Sequence, residues 1–206
     1  MKTVLLTMYY RDDLPARQFE IDACLNHNLQ NRLIDQVIVF TEEFFSNIMH
    51  SKLSQQVIKE RLTYQCAFEF ANKNLVGDIC MLSNSDIFFD DTLISLQRAD
   101  MTDKLYAITR HNVQPDGSLL FTDAGTCQDV WIFKSPIKTF TSNFGMGRPG
   151  CDNRVAWEAR NAGLKVLNPC KVITCRHLHL TNKRNYMQNQ PQIPGPYDWV
   201  DFGNQL

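Results

Sequence analysis

The sequence has almost no net charge, no long apolar run and none of the common nucleotide or zinc fingerprints, and each absence narrows the function. Lys and Arg number 21 against 22 Asp and Glu, a formal charge of −1, so no general attraction to nucleic acid or an anionic membrane is expected. No stretch approaches the ~20 apolar residues that span a bilayer. The chain passes from Met1-Lys2 into a short apolar run without the h-region of a signal peptide. The seven cysteines form no CxxC, and several lie inside apolar runs. Buried free thiols in a reducing, cytoplasmic setting explain them better than a disulfide framework or a zinc site. No GxGxxG follows the first apolar run and no GxxxxGKS or GxxxxGKT occurs, which argues against a dinucleotide fingerprint and a P-loop. No internal repeat is evident, and 206 residues can bury a full core.

What is present is an alternation of apolar runs and amphipathic stretches. Residues 3–8 (TVLLTM) and 36–40 (QVIVF) read as buried strands around a helix over 16–33, with Phe19, Cys24, Leu25 and Leu29 on its apolar side. Such a start predicts an α/β fold: a mixed, mostly parallel central sheet flanked by helices. One long helix is expected over 54–75, burying Val57, Leu62, Cys66, Phe70 and Leu75, with Arg61 and Tyr64 facing one way. Downstream, a helix starts at Asp90-Asp91-Thr92 and runs to about 97, and a strand follows at 106–110. Pro115-Asp116-Gly117 marks a turn, and 128–134 is a strand. An irregular Gly/Pro/Ser segment covers 135–153, a helix closed by glycine covers 155–163, and extended pieces fall at 164–167 and 171–175. Residues 1–187 are expected to form a single domain. The Pro/Gly/Gln-rich 188–206 is either a tail docked by Tyr197, Trp199 and Phe202 or a linker.

The functional reading centres on residues 77–90, GDICMLSNSDIFFD. A short apolar run stops abruptly in Ser83-Asn84-Ser85-Asp86. This puts Asn84 and Asp86 at the carboxyl end of a buried strand, where open α/β sheets bind ligands. A carboxylate there suits a hard divalent cation carrying phosphate oxygens; the alternative is a surface turn. Residues 7–11 and 41–43, following the first two strands, would flank the same crevice, which makes Thr7, Tyr9 and Arg11 candidates. Arg61 either grips a diphosphate bidentately or is a solvated helix charge. His177 and His179 alternate in extended backbone and so point to one side. They share a metal, or one caps while the other packs.

Taken in order, several motifs resemble one family. They are Arg61-Leu62-Thr63-Tyr64, Asn84-Ser85-Asp86-Ile87-Phe88-Phe89-Asp90 and Gln128-Asp129-Val130-Trp131-Ile132-Phe133, then Pro149-Gly150-Cys151-Asp152-Asn153-Arg154, Asn168-Pro169 and His177-Leu178-His179. The set is similar to GT-A-type nucleotide-sugar glycosyltransferases, and among them to small glycosyltransferase domains encoded by chlorella viruses, over residues 1 to about 186.

The resemblance implies a UDP-sugar donor, a glycan acceptor and Mn²⁺ (or Mg²⁺). Its viral side implies capsid-glycan synthesis in host cytoplasm with glucose or rhamnose as the donor sugar. The family's DxD falls on Asn84-Ser85-Asp86, with Asp86 as metal ligand and an asparagine replacing the first aspartate. His179, or His177, completes the metal site. Asn84, Ser85 and Asn153 join the donor-binding candidates. Asp152 is the first candidate for the base that takes the acceptor proton, and Asp129 the second; the other would hold sugar hydroxyls. Arg61 or Lys183-Arg184 would offset charge on the departing diphosphate. Residues 135–150 would wall the acceptor side and order on donor binding. Two rival readings are a sugar nucleotidyltransferase and a non-catalytic nucleotide- or carbohydrate-binding module. Oligomeric state stays open.

Overall fold

The computed structural model describes residues 1–121, 127–181, 183 and 191–206. In chain order the elements are β1 (Thr3–Met8), α1 (Pro15–Gln30), β2 (Gln36–Thr41), β3 (Leu53–Val57), α2 (Tyr64–Asn74), β4 (Ile79–Ser83) and β5 (Ile87–Phe89). A 3-10 helix (Asp91–Arg98) leads into β6 (Lys104–Thr109), β7 (His111–Val113), β8 (Leu119–Phe121) and β9 (Gln128–Lys134). The chain continues through α3 (Cys151–Asn161), β10 (Lys165–Leu167) and β11 (Cys175–His177).

Seven strands form one sheet in the order β10-β6-β9-β4-β1-β2-β3. Strand β9 runs antiparallel to β4 and β6, and the remaining neighbours are parallel. The sheet is mixed and mostly parallel, as the sequence leads one to expect. A smaller sheet, β5-β11-β7-β8, closes one end.

Burial on both faces explains why the central strands read as unbroken apolar runs. Strand periodicity sends Val4, Leu6, Leu82, Trp131 and Phe133 to the face covered by α2 and α3. It sends Leu5, Val37, Val39, Met81 and Ile132 to the face covered by α1. Helix α1 starts with proline in its first turn, where a missing N–H costs nothing. It buries Ile21, Cys24, Leu25 and Leu29, whereas Phe19 is 71% exposed and lies off the apolar stripe.

Three expectations need correction. The long helix over 54–75 does not form: Leu53–Val57 is instead an edge strand paired with β2. Helix α2 begins only at Tyr64, where the Thr63 side chain accepts a hydrogen bond from the Cys66 N–H at 3.1 Å. Arg61 therefore sits on a loop and does not share a helix face with Tyr64. Helix α3 begins at Cys151, with Gly150 as its N-cap at φ 78°, so Asp152 and Asn153 belong to its first turn. Finally, the extended piece at 171–175 contributes only Cys175 to β11, because 169–173 turns back on itself through bonds to the Pro169 carbonyl.

Residues 191–206 fold back onto the body. Ile193 and Val200 are buried among the β9 and α3 side chains. The Asn153 amide donates to the Asp198 carbonyl at 3.1 Å, and Arg154 donates to the Pro194 carbonyl at 2.9 Å. Phe202 packs edge-on against Phe121, while Trp199 is 60% exposed. Among the described residues no helix is long and apolar enough to cross a membrane.

The topology gathers the carboxyl ends of β1, β2 and β4 on one edge. Because β9 is antiparallel, its start reaches the same edge, and the Asn84 N–H bonds the Asp129 carbonyl at 3.2 Å. Asn168 braces the neighbouring corner. Its Oδ1 accepts from the Thr109 N–H at 3.0 Å, and its Nδ2 donates to Thr109 Oγ1 at 2.8 Å and to the Val200 carbonyl at 3.2 Å. Asn168→Ala should lower unfolding free energy by about 2–3 kcal/mol, because it strands buried partners. Urea unfolding checks this, and a loss under about 0.5 kcal/mol would contradict it.

Candidate active site

A cavity of about 730 Å³ opens at this edge of the sheet. One of its buried carboxylates is Asp86, 7% exposed. Three nitrogens converge on its Oδ2: Arg17 Nη2 at 2.6 Å, His177 Nε2 at 3.3 Å and His179 Nδ1 at 3.4 Å. Strand pairing makes this possible, since β11 sets His177 opposite Ile87, the residue after Asp86. The Leu178 N–H then bonds the Asp86 carbonyl at 2.9 Å. Burial alone would raise the Asp86 carboxyl. Hydrogen bonds from His177 and His179 and the charge of Arg17 outweigh it and hold the group well below the usual carboxylate range.

The far ring nitrogens are also tied. His177 Nδ1 meets Asn112 Oδ1 at 2.8 Å, and His179 Nε2 meets the Lys183 carbonyl at 2.7 Å. A carbonyl only accepts, so Nε2 of His179 donates to it, which leaves Nδ1 as the ring nitrogen that faces Asp86. One carboxylate oxygen and two imidazole nitrogens within 4.8 Å of one another form a group that could hold a metal ion. The donor set fits a first-row divalent ion such as Mn²⁺ and suits Mg²⁺, which prefers oxygen, less well.

Arg17 was not anticipated. It lies one turn before Glu20 on α1, and the two form a buried ion pair at 2.8 Å. Glu20 also accepts from the Leu180 and Thr181 N–H groups at 2.7 and 2.8 Å. Helix α1 thereby positions the segment that follows His179. An Arg-x-x-Glu pair on a helix looks like a solvated pair in sequence, which is why no signal stood out.

A second group lies across the cavity. Asp129, also buried, accepts from Asn84 Nδ2 at 2.7 Å and from Arg110 Nη1 at 3.1 and 3.3 Å. This accounts for the asparagine at position 84, since an aspartate there would face Asp129 at hydrogen-bonding distance. Asp152 is half-buried; its Oδ1 lies 3.4 Å from the Tyr64 hydroxyl and 3.1 Å from Cys151 Sγ. Burial, reinforced by the nearby Asp129 charge, pushes its carboxyl up to about 7. Tyr64 is fully buried and edge-on to Trp131 at 4.8 Å.

The cavity wall contains Arg11, Arg61, Asn84, Ser85, Asp86, Asp129, Asp152, His177 and His179. Thr7, Tyr9 and Asn153 are not in it. Thr7 is buried, with its hydroxyl on the Ser83 carbonyl at 3.1 Å. Tyr9 points into the α1-side core and donates to Asp22 at 2.8 Å, while its neighbour Tyr10 faces the cavity. Asn153 is turned to the tail. Lys183 lines the wall, paired with Asp12; Arg184 lies outside the described residues. Arg17, Arg110 and Arg148 complete a wall of six Arg and Lys against Glu42, Asp86, Asp129 and Asp152. Each of these three arginines keeps a buried Nε–H with no partner among the described residues, so donors remain for an anion.

No protein-family model and no curated protein matches the chain. Solved structures do. A mannosyltransferase from Pyrobaculum calidifontis, solved with GDP-Man and Mn²⁺, is 15% identical at TM-score 0.55, over 90% of this chain and 58% of that one. Residues 1–349 of S. aureus TarS are 12% identical at TM-score 0.50, over 89% of this chain and 59% of that one. A Francisella tularensis 2-C-methyl-D-erythritol 4-phosphate cytidylyltransferase is 12% identical at TM-score 0.39, over 66% of this chain and 71% of that one. The chain thus spans under three-fifths of the mannosyltransferase and TarS structures. The likenesses to the mannosyltransferase and TarS establish the GT-A/Rossmann-like fold and carry no sequence link to a chlorella virus.

Asn84→Asp should destabilise the protein by about 1–3 kcal/mol at neutral pH, because two carboxylates would meet where one amide bond now exists. The new carboxyl would have a raised folded-state pKa. The penalty is therefore full at neutral pH and fades as pH falls toward about 4, the unfolded value. Unfolding curves at several pH values test this, and a pH-independent loss would contradict it.

Proposed function

We propose that the chain is a metal-dependent glycosyltransferase that moves a hexose or deoxyhexose from a UDP-sugar to a glycan hydroxyl. The observation that carries this reading is one cavity in which the Asp86-His177-His179 group, arginines with open donors and the near-neutral Asp152 carboxyl meet. A divalent ion held by that group would supply Lewis-acid stabilisation of negative charge on the leaving diphosphate.

The chain's own residues do the remainder. Arg61 is braced by its Nε donating to the Met146 carbonyl at 2.8 Å. Gly147, at φ 68°, leaves room for it, since a Cβ there would lie 2.9 Å from Arg61 Nη2. Arg61, Arg148 and Arg17 offset the diphosphate charge. Asp152 accepts the proton of the acceptor hydroxyl as its oxygen bonds the anomeric carbon. The bond from that carbon to the diphosphate oxygen breaks, and UDP leaves with the electron pair. Asp129, held by Arg110 and Asn84, orients sugar hydroxyls. Residues 135–150 wall the acceptor side.

The seven free thiols support work in a reducing cytoplasm. The viral motif likeness extends the reading to capsid glycans bearing glucose or rhamnose.

Ionised Asp152 is the active form, so transfer should rise with pH and level off above about 7. Asp152→Asn should reduce transfer by ~10²–10⁴-fold while UDP binding persists. Full activity in that variant would sink the assignment. Turnover of UTP plus sugar 1-phosphate, without transfer from a UDP-sugar, would make the protein a nucleotidyltransferase instead.

A further inference from the structure

Asp86 Oδ2 already has a cation on it. Of the three nitrogens around this oxygen, Arg17 Nη2 is the nearest at 2.6 Å. Arg17 is 3% exposed, so its charge is not dispersed into solvent. Its other amino group is fixed by Glu20 at 2.8 Å, with the Leu178 carbonyl at 3.4 Å. Its Nε–H is buried, has no partner among the described residues and belongs to a side chain lining the cavity. The two histidines face the same oxygen at 3.3 and 3.4 Å.

We infer that Arg17 occupies the cation position on Asp86, so that a divalent ion binds weakly alone and tightly only with a diphosphate that takes over Arg17's donors. This inference rests on the proposed metal–diphosphate site. Two like charges on one buried carboxylate oxygen repel strongly, since few water dipoles lie between them. Moving Arg17 off Asp86 with no anion present would leave a buried guanidinium short of partners. A diphosphate removes both obstacles: it ligates the ion and accepts from the guanidinium. Ion and nucleotide then bind with mutual enhancement, a coupling that must be equal in both directions. Glu20 keeps Arg17 at hand throughout, because its Oε1 is fixed by the Leu180 and Thr181 N–H groups and its Oε2 by the Thr181 hydroxyl.

The test is Mn²⁺ binding to the full chain, read from the free-ion electron paramagnetic resonance signal, with and without UDP and corrected for Mn²⁺ that UDP binds in solution. UDP should tighten Mn²⁺ binding to the wild type by about tenfold or more. Arg17→Gln should bind Mn²⁺ alone about tenfold tighter than wild type, and the UDP enhancement should shrink. Arg17→Lys, which keeps the charge, should bind Mn²⁺ alone as weakly as wild type. Absence of UDP coupling in the wild type overturns the inference without any variant, which matters if Arg17→Gln does not fold. Arg17→Gln binding Mn²⁺ no tighter than wild type also overturns it, leaving Arg17 as a brace for Asp86. No Mn²⁺ binding under any condition would overturn the proposed metal site as well.

Discussion

A buried carboxylate must be paired or it will not stay ionised, and the site is arranged around satisfying that demand at Asp86. Three separate parts of the chain bring cations or donors to one oxygen: α1 through Arg17, β11 through His177, and the extended residue after it through His179. Asn28, which bonds the Ile87 carbonyl and the Phe89 N–H, and the β5–β11 ladder hold the same elements beside it. The Asp86 cluster fixes them to hydrogen-bond tolerance. It also sits where the chain passes from the large sheet to the small one, between β4 and β5. Removing one partner would leave charge unbalanced in the interior, so the cluster stands as a unit.

Across the cavity the same logic gives two carboxylates different characters. Asp129 takes an arginine and an amide and is anchored as an acceptor. Asp152 has a phenol and a thiol beside it, and burial against the Asp129 charge lifts it toward neutrality. On the proposed function the two acids divide the work: one orients and one moves a proton. The asparagine in place of the first aspartate of the DxD pattern follows from this arrangement. Position 84 must donate to Asp129, which a carboxylate cannot do when ionised.

Much of the fold was legible because both-sided burial writes itself into sequence as apolar runs; β1, β2, β4 and β9 stand where such runs stand. Strand β3 was not, because an edge strand half open to water carries polar residues. Leu53–Val57 (LSQQV) imitates the start of the helix that follows. Thr63, a good N-cap residue, marked the true boundary. The Asp86-His177-His179 group was readable in two halves, from polar residues at a strand's carboxyl end and from period-two histidines, and the family resemblance joined them. Tyr9 and Tyr10 show the limit of such rules. Past the end of β1 the alternation decides which side chain faces the cavity, and one residue of offset exchanges them. Arg110 follows directly on β6 and the same strand-end rule could have found it, whereas Arg17 and Arg148 are set by tertiary contacts that no local pattern encodes.

The central claim is that Asp86, His177 and His179 hold an ion that in turn holds a nucleoside diphosphate. Calorimetric titration of UDP, with GDP and CMP alongside, in Mn²⁺ and again in EDTA, tests it most directly. The account predicts heat of binding for UDP in Mn²⁺ and none in EDTA, with GDP and CMP weaker or silent. Failure of all three nucleotides with the metal present would contradict it, and would leave the cluster as a structural anchor at the edge of a sheet.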